Sequence, residues 1–121
     1  MTIHLARVYD HAAAPAGARI LVDRLWPRGL SKAALHLDLW LRDIAPSDDL
    51  RHWFGHEVPK WPEFRARYRA ELDANPDAVA QALDWCRKGP VVLLFAAHDA
   101  DHNNAVVLRD YLLARLAGEG K

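Results

Sequence analysis

Val91-Val92-Leu93-Leu94-Phe95-Ala96-Ala97 is apolar from end to end and reads as a β-strand. A strand with one wet face alternates polar and apolar residues. An unbroken apolar run needs cover on both faces, which is the habit of central strands in parallel sheets. The flanks agree. Arg87-Lys88-Gly89-Pro90 just upstream stops a helix in the usual order of cations, then Gly, then Pro. That helix opens at Asn75-Pro76-Asp77, with Asn75 as its cap and Val79, Leu83 and Cys86 as its apolar stripe. Downstream, His98-Asp99-Ala100-Asp101-His102-Asn103-Asn104 is a polar turn. A helix follows from about Asn103 to Leu116, with Ala105, Leu108, Leu112 and Leu116 turned to the core and Gly118 ending it.

Working back toward the N-terminus, Pro62 suits a first helical position, and Trp61, Phe64, Tyr68 and Leu72 then share one helical face. Ser47 caps a short helix through Leu50, Trp53 and Phe54, and Asp48 and Asp49 suit the positive end of its dipole. Leu37 to Ile44 is ambiguous between strand and turn. Leu25 to Ser31 holds Pro27 and Gly29 and excludes regular structure, and Ser31 begins a short helical turn. Two more strands are expected, Ile3 to Tyr9 and Ala18 to Arg24, joined by the small-residue loop Ala12 to Gly17. Buried strands linked by helices should run parallel through right-handed crossovers. The chain is therefore expected to be α/β: a small single-domain layered fold over residues 1–121 with a short, mostly parallel sheet flanked by helices.

Composition narrows the function. A chain of 121 residues suits one domain, and 51% hydrophobic residues suffice for a core. Lys plus Arg and Asp plus Glu both number 16, so the net charge is zero, which argues against a protein held to nucleic acid by bulk positive charge. The single cysteine excludes an internal disulfide, and no apolar run has the length of a signal peptide or membrane span. The expected place is the cytosol, with no membrane partner. Trp40, Trp53, Trp61 and Trp85 read as packing residues.

In open α/β sheets ligands collect beyond the carboxyl ends of the strands, and two polar clusters fall there. After the second strand come Asp23, Arg24, Trp26, Arg28 and Gly29. Arg24 and Arg28 suit a phosphate or carboxylate, Trp26 offers a flat face, and Gly29 lets backbone N–H groups approach an anion. The structural alternative is a rigid turn with Asp23 paired to an arginine and Trp26 covering the core edge. After the last strand come Asp99, His102 and Asn103. His102 suits acid–base work, with Asp99 orienting it or acting itself; alternatively an aspartate caps the last helix. Arg51 adds charge to an anion pocket or simply lies on a surface helix. The His98, Asp99 and His102 spacing matches no strong metal signature, so no metal ligand is assigned. P-loop, dinucleotide-binding, Cys-x-x-Cys and Gly-x-Ser-x-Gly motifs are all absent from the sequence.

Three segments together resemble the YeaO-like proteins of the DUF488 family. They are Val22-Asp23-Arg24-Leu25-Trp26-Pro27-Arg28-Gly29-Leu30-Ser31-Lys32; Ala45-Pro46-Ser47 with Leu50, Arg51, Trp53 and Phe54; and Leu93 to Asp99 with His102, Asn103 and Ala105. The resemblance implies a compact α/β bacterial protein and assigns no activity. His98 stands where many such proteins carry Arg or Lys, which weakens it as a ligand. The expectation is a small enzyme or ligand-binding domain for an anionic or nucleotide-like small molecule. Asp23, Asp99 and His102 are its candidate acid–base groups, Arg24, Trp26, Arg28, Gly29, Arg51 and Asn103 its binding residues, and hydrolysis or group transfer its reaction class. The alternative is a non-catalytic binding or regulatory module, associated with nucleic acid. A cavity shared by the two loops supports the first.

Overall fold

The computed structural model describes residues 2–119. Four strands, β1 (Ile3–Arg7), β2 (Ala18–Leu21), β3 (Leu39–Trp40) and β4 (Val91–Phe95), form one sheet in the order β1-β4-β2-β3, with every pairing parallel. The chain is an α/β domain of the expected kind. β4 lies between β1 and β2, pairing Leu93 with Leu5 on one side and with Ile20 on the other. No residue from Val91 to Phe95 is more than 3% exposed, as an unbroken apolar strand requires.

The two faces are covered differently. Val91, Leu93 and Phe95 join Ile20 and Val22 in the larger core, beneath α2 (Asp48–Phe54), α3 (Trp61–Asp73), α4 (Pro76–Lys88) and α5 (Asn104–Glu119). Val92 and Leu94 point the other way, to a smaller cluster with Val8, Leu21 and Leu35. No long helix lies over that cluster. A 3-10 segment (Val8–Ala13), the short α1 (Lys32–Leu35) and the indoles of Trp26 and Trp40 close it. Tyr68 is fully buried in the larger core, and its hydroxyl donates to the Ile44 carbonyl at 2.6 Å.

Several sequence expectations shift. β1 stops at Arg7, so Tyr9 stands exposed in the 3-10 segment instead of the strand. β2 stops at Leu21, although the Val22 N–H still donates to the Leu94 carbonyl at 3.1 Å. The ambiguous stretch supplies both alternatives: β3 at the sheet edge, then a 3-10 turn over Arg42–Ile44. Ser31 and Ser47 cap α1 and α2 as expected, at 3.1 and 3.2 Å from Ala34 N and Leu50 N. Asn75 makes no side-chain cap; its amide instead donates 2.8 Å across to the Asp43 carbonyl. Gly118 does not end the last helix. Arg87 pairs with Glu119, holding that end of α5 against α4. Among the described residues no helix is long and apolar enough to cross a membrane.

Because the strands are parallel and β2 neighbours β4, the loops leaving both emerge side by side at one edge of the sheet.

Candidate functional site

Asp23 is the hinge of that edge. Leaving β2, it turns its carboxylate toward β4 and accepts from the Ala96 N–H at 2.9 Å and from the Asn104 amide at 3.1 Å. The Asn104 amide also donates to the Val22 carbonyl at 3.1 Å, and the Trp40 indole N–H donates to the Asp23 carbonyl at 2.7 Å. One aspartate therefore ties the ends of β2 and β4 to the start of α5. Burial pushes its carboxyl above the usual value, against the pull of the two hydrogen bonds and the charges of Arg51 and His56. Both oxygens are committed, so Asp23 acts first as a clamp.

The next residues diverge. Arg24 turns to the start of α2, where its contacts are long: 3.4 Å to the Ala45 carbonyl, 3.5 Å to the Pro46 carbonyl and 3.8 Å to Asp48. Arg28 is exposed, and its guanidinium has no hydrogen bond, ion pair or ring contact among the described residues. Its carbonyl accepts from the Tyr9 hydroxyl at 3.0 Å, which ties the loop to the 3-10 segment after β1. Trp26 donates to the Leu30 carbonyl at 2.6 Å and meets Trp40 edge-on at 5.4 Å. Its ring thus belongs to the cover over the smaller core. Gly29 has φ of +78°, a conformation that favours glycine, and lies outside the cleft wall.

After β4, Asp99 organises its own loop. One oxygen accepts from the N–H groups of Asp101 and His102, at 2.9 and 3.0 Å, and the other meets His102 Nδ1 at 2.9 Å. The Asp101 N–H above all, with His102 behind it, holds this carboxyl below its usual value. His102 rests edge-on against Trp61 at 5.2 Å between ring centres. Its Nε2 has no hydrogen-bond partner among the described residues, so of the three acid–base candidates it alone keeps an uncommitted atom. Asn103 caps α5 by accepting from the Val106 N–H at 3.1 Å and donates to the Asp99 carbonyl at 2.8 Å. It is 3% exposed and serves the loop. The aspartate cap considered for this helix is thus an asparagine.

These loops and α2 surround one cleft of about 800 Å³. Asp23, Arg24, Trp26, Arg28, Arg51, Asp99, His102 and Asn103 all line it. The remaining wall includes Tyr9 and Asn104, which the sequence does not single out, and His52 and His56, whose stretch with Arg51 could cap this edge or lie on a surface helix. Asn104 carried a signal, an amide at the mouth of the last helix, but its neighbour Asn103 carried the same one. His56 arrives with φ of +59° just after the α2 terminus, a turn that spacing does not reveal. Among the described residues no cluster of three or more His, Cys, Asp or Glu has metal-holding geometry. The wall contains no Ser, Thr, Cys or Lys. Cys86 is buried in the larger core, where burial pushes its thiol pKa up.

Residues 2–121 match the family described as "Inactive DUF488-N3 subclade". The chain belongs to this DUF488 family. It is 45% identical to the uncharacterised protein YeaO of Escherichia coli strain K12 over 112 residues, covering 93% of this chain and 97% of that protein. It is 34% identical over 113 residues to the uncharacterised protein Mb3100c of Mycobacterium bovis, covering 93% of this chain and 95% of that one. Rv3073c of Mycobacterium tuberculosis strain H37Rv, also uncharacterised, matches to the same extent. No solved structure matches the chain. The DUF488 membership anticipated from the Val22-to-Lys32 segment together with the other two segments is borne out, and the relatives' names carry no activity.

Proposed function

We propose that this DUF488 chain binds a small anionic, nucleotide-like molecule in the cleft and holds it without covalent chemistry. The observation that carries the reading is the convergence of Arg24, Arg28 and Arg51 on a cleft whose own carboxylates, Asp23 and Asp99, are engaged by backbone N–H groups. Arginine recognises phosphate and carboxylate through paired N–H donors. Leu25, Pro27, Phe54 and Phe64 give the rest of the wall an apolar character suited to a ring. The wall's two carboxylates are tied into their loops and the Tyr9 hydroxyl donates to the Arg28 carbonyl, which favours binding over covalent turnover. The family's description as inactive is in keeping with this.

Trp26 is not the stacking residue in this reading, because its ring covers the core. His102 takes the place of a donor to the ligand, with Asp99 fixing its ring.

The test is titration calorimetry with adenosine monophosphate, adenosine and inorganic phosphate. Adenosine monophosphate is expected to bind best. Arg28→Ala should weaken it about tenfold, the worth of one charge-assisted contact at a partly wet site. The fold should be unaffected, since the guanidinium holds nothing within the chain. Recovered nucleotide should be intact by mass spectrometry. Silence with all three compounds, or equal affinity in the Arg28 variant, sinks the proposal.

A further inference from the structure

Resting on that ligand-binding reading, we propose that Arg24 and Arg51 form the seat of a phosphoryl group, and that the Asp48 carboxylate occupies this seat in the unliganded protein. Three observations lead there. First, a single Asp48 oxygen serves both guanidiniums, at 3.8 Å from Arg24 Nε and in direct contact with Arg51 Nη2. Second, neither arginine is satisfied. A guanidinium has five donors, yet Arg24 makes only contacts of 3.4 Å or longer. Arg51 Nε is shut away from solvent with no hydrogen-bond partner among the described residues. Third, both arginines line the cleft while Asp48 does not, and its side chain is 63% exposed.

A buried donor without an acceptor is costly. One such donor on Arg51, and an Arg24 held only by long contacts, beside one shared carboxylate describe a site built for more oxygens than Asp48 supplies. A terminal phosphoryl group has three oxygens. It can give each guanidinium an oxygen of its own and satisfy donors that a carboxylate leaves bare. A carboxylate ligand only repeats what Asp48 already does. The occupant is therefore a phosphoryl group, and entry displaces Asp48 into solvent, where its exposure lets it go cheaply. The clasp also keeps the two like charges tolerable in the empty cleft.

Calorimetry with adenosine monophosphate and inorganic phosphate tests this in Asp48→Asn beside Asp49→Asn. The second variant makes the same change in net charge one residue away, at a side chain that touches neither arginine. Releasing a competing surface ion pair should tighten both ligands about three- to fivefold in Asp48→Asn. Asp49→Asn should change them by less than twofold. Arg51→Ala in the Asp48→Asn background should erase the gain. Acetate should bind no variant measurably. Equal gains in both asparagine variants would show general electrostatics and overturn the seat. So would unchanged or weaker binding in Asp48→Asn while the parent still binds and Arg28→Ala still weakens it, an outcome that leaves the ligand-binding reading intact. Silence of the parent and of Asp48→Asn toward both phosphates overturns the two together.

Discussion

Asp23→Ala should destabilise the chain by about 2–3 kcal/mol, the worth of a charge-assisted hydrogen bond plus an orphaned buried donor, and lower Tm by roughly 10 °C for a domain of this size. The Ala96 N–H loses the Asp23 carboxylate as its acceptor. The Asn104 amide keeps the Val22 carbonyl but loses the carboxylate. Relief of a buried charge offsets part of the loss. A second observable separates this clamp from a mere surface acid. Burial raises the Asp23 carboxyl in the folded chain, so the native state holds this proton more tightly than the unfolded one. The stabilisation from that proton is full below the unfolded value, near 3.8, and fades as pH rises through the folded value. The difference between parent and Asp23→Asn in urea melts should therefore be largest in acid and shrink toward neutral pH. Carboxylates held low, such as Asp48 and Asp99, act in the opposite sense but are common to both proteins and cancel. A gap that grows with pH, or an Asp23→Ala variant as stable as the parent, removes Asp23 from the clamp role.

The parts of this architecture that were legible beforehand are those whose signal is local. β4 needs no partner to declare itself, because a short apolar run rich in Val and Leu and bounded by Gly89-Pro90 and a polar turn suits a buried strand, although the strand stops at Phe95, before Ala96 and Ala97. Its burial implied parallel neighbours, and parallel neighbours implied that the loops after β2 and β4 share an edge. That reasoning places Arg24, Arg28, Asp99 and His102 at one sheet edge from the sequence alone, and all four line the cleft. What stayed hidden depends on contacts distant in sequence. The early ends of β1 and β2 are set by where the sheet partners stop. Asn103 and Asn104 are chemically equal neighbours. Only the helix direction decides that the first caps α5 and the second reaches back to Asp23. Asn75 was expected to cap with its amide oxygen, but its NH2 is drawn instead to the Asp43 carbonyl, 32 residues away, and no cap forms. Tyr9 reaches the cleft from a 3-10 segment, which has no hydrophobic period. Trp26 was open between two roles, and the thinness of one sheet face chose between them.

That choice yields the other large expected effect. Trp26→Ala should cost about 3 kcal/mol, at the lower end for deleting a large aromatic because the ring is only partly buried. Nucleotide affinity of the folded fraction should change by less than twofold. The stability loss has three sources. The smaller core of Val8, Leu21, Leu35, Val92 and Leu94 has no long helix above it, so the indole is a large part of its roof. The edge-on contact with Trp40 disappears, and such pairs are worth about 0.5–1.5 kcal/mol beyond area burial. The Leu30 carbonyl loses its donor, while the Tyr9 hydroxyl still holds the Arg28 carbonyl in place. Trp26→Phe keeps one aromatic ring but loses the five-membered ring of the indole and its N–H, so it should recover part of the stability. Urea melts supply the stability values, and calorimetry on the folded variants at reduced temperature supplies the affinities. A Trp26→Ala protein that melts like the parent but binds nucleotide tenfold more weakly would reverse the assignment. The indole would then be a stacking surface for the ligand, and the roof of the smaller core would have to be sought in Trp40 alone.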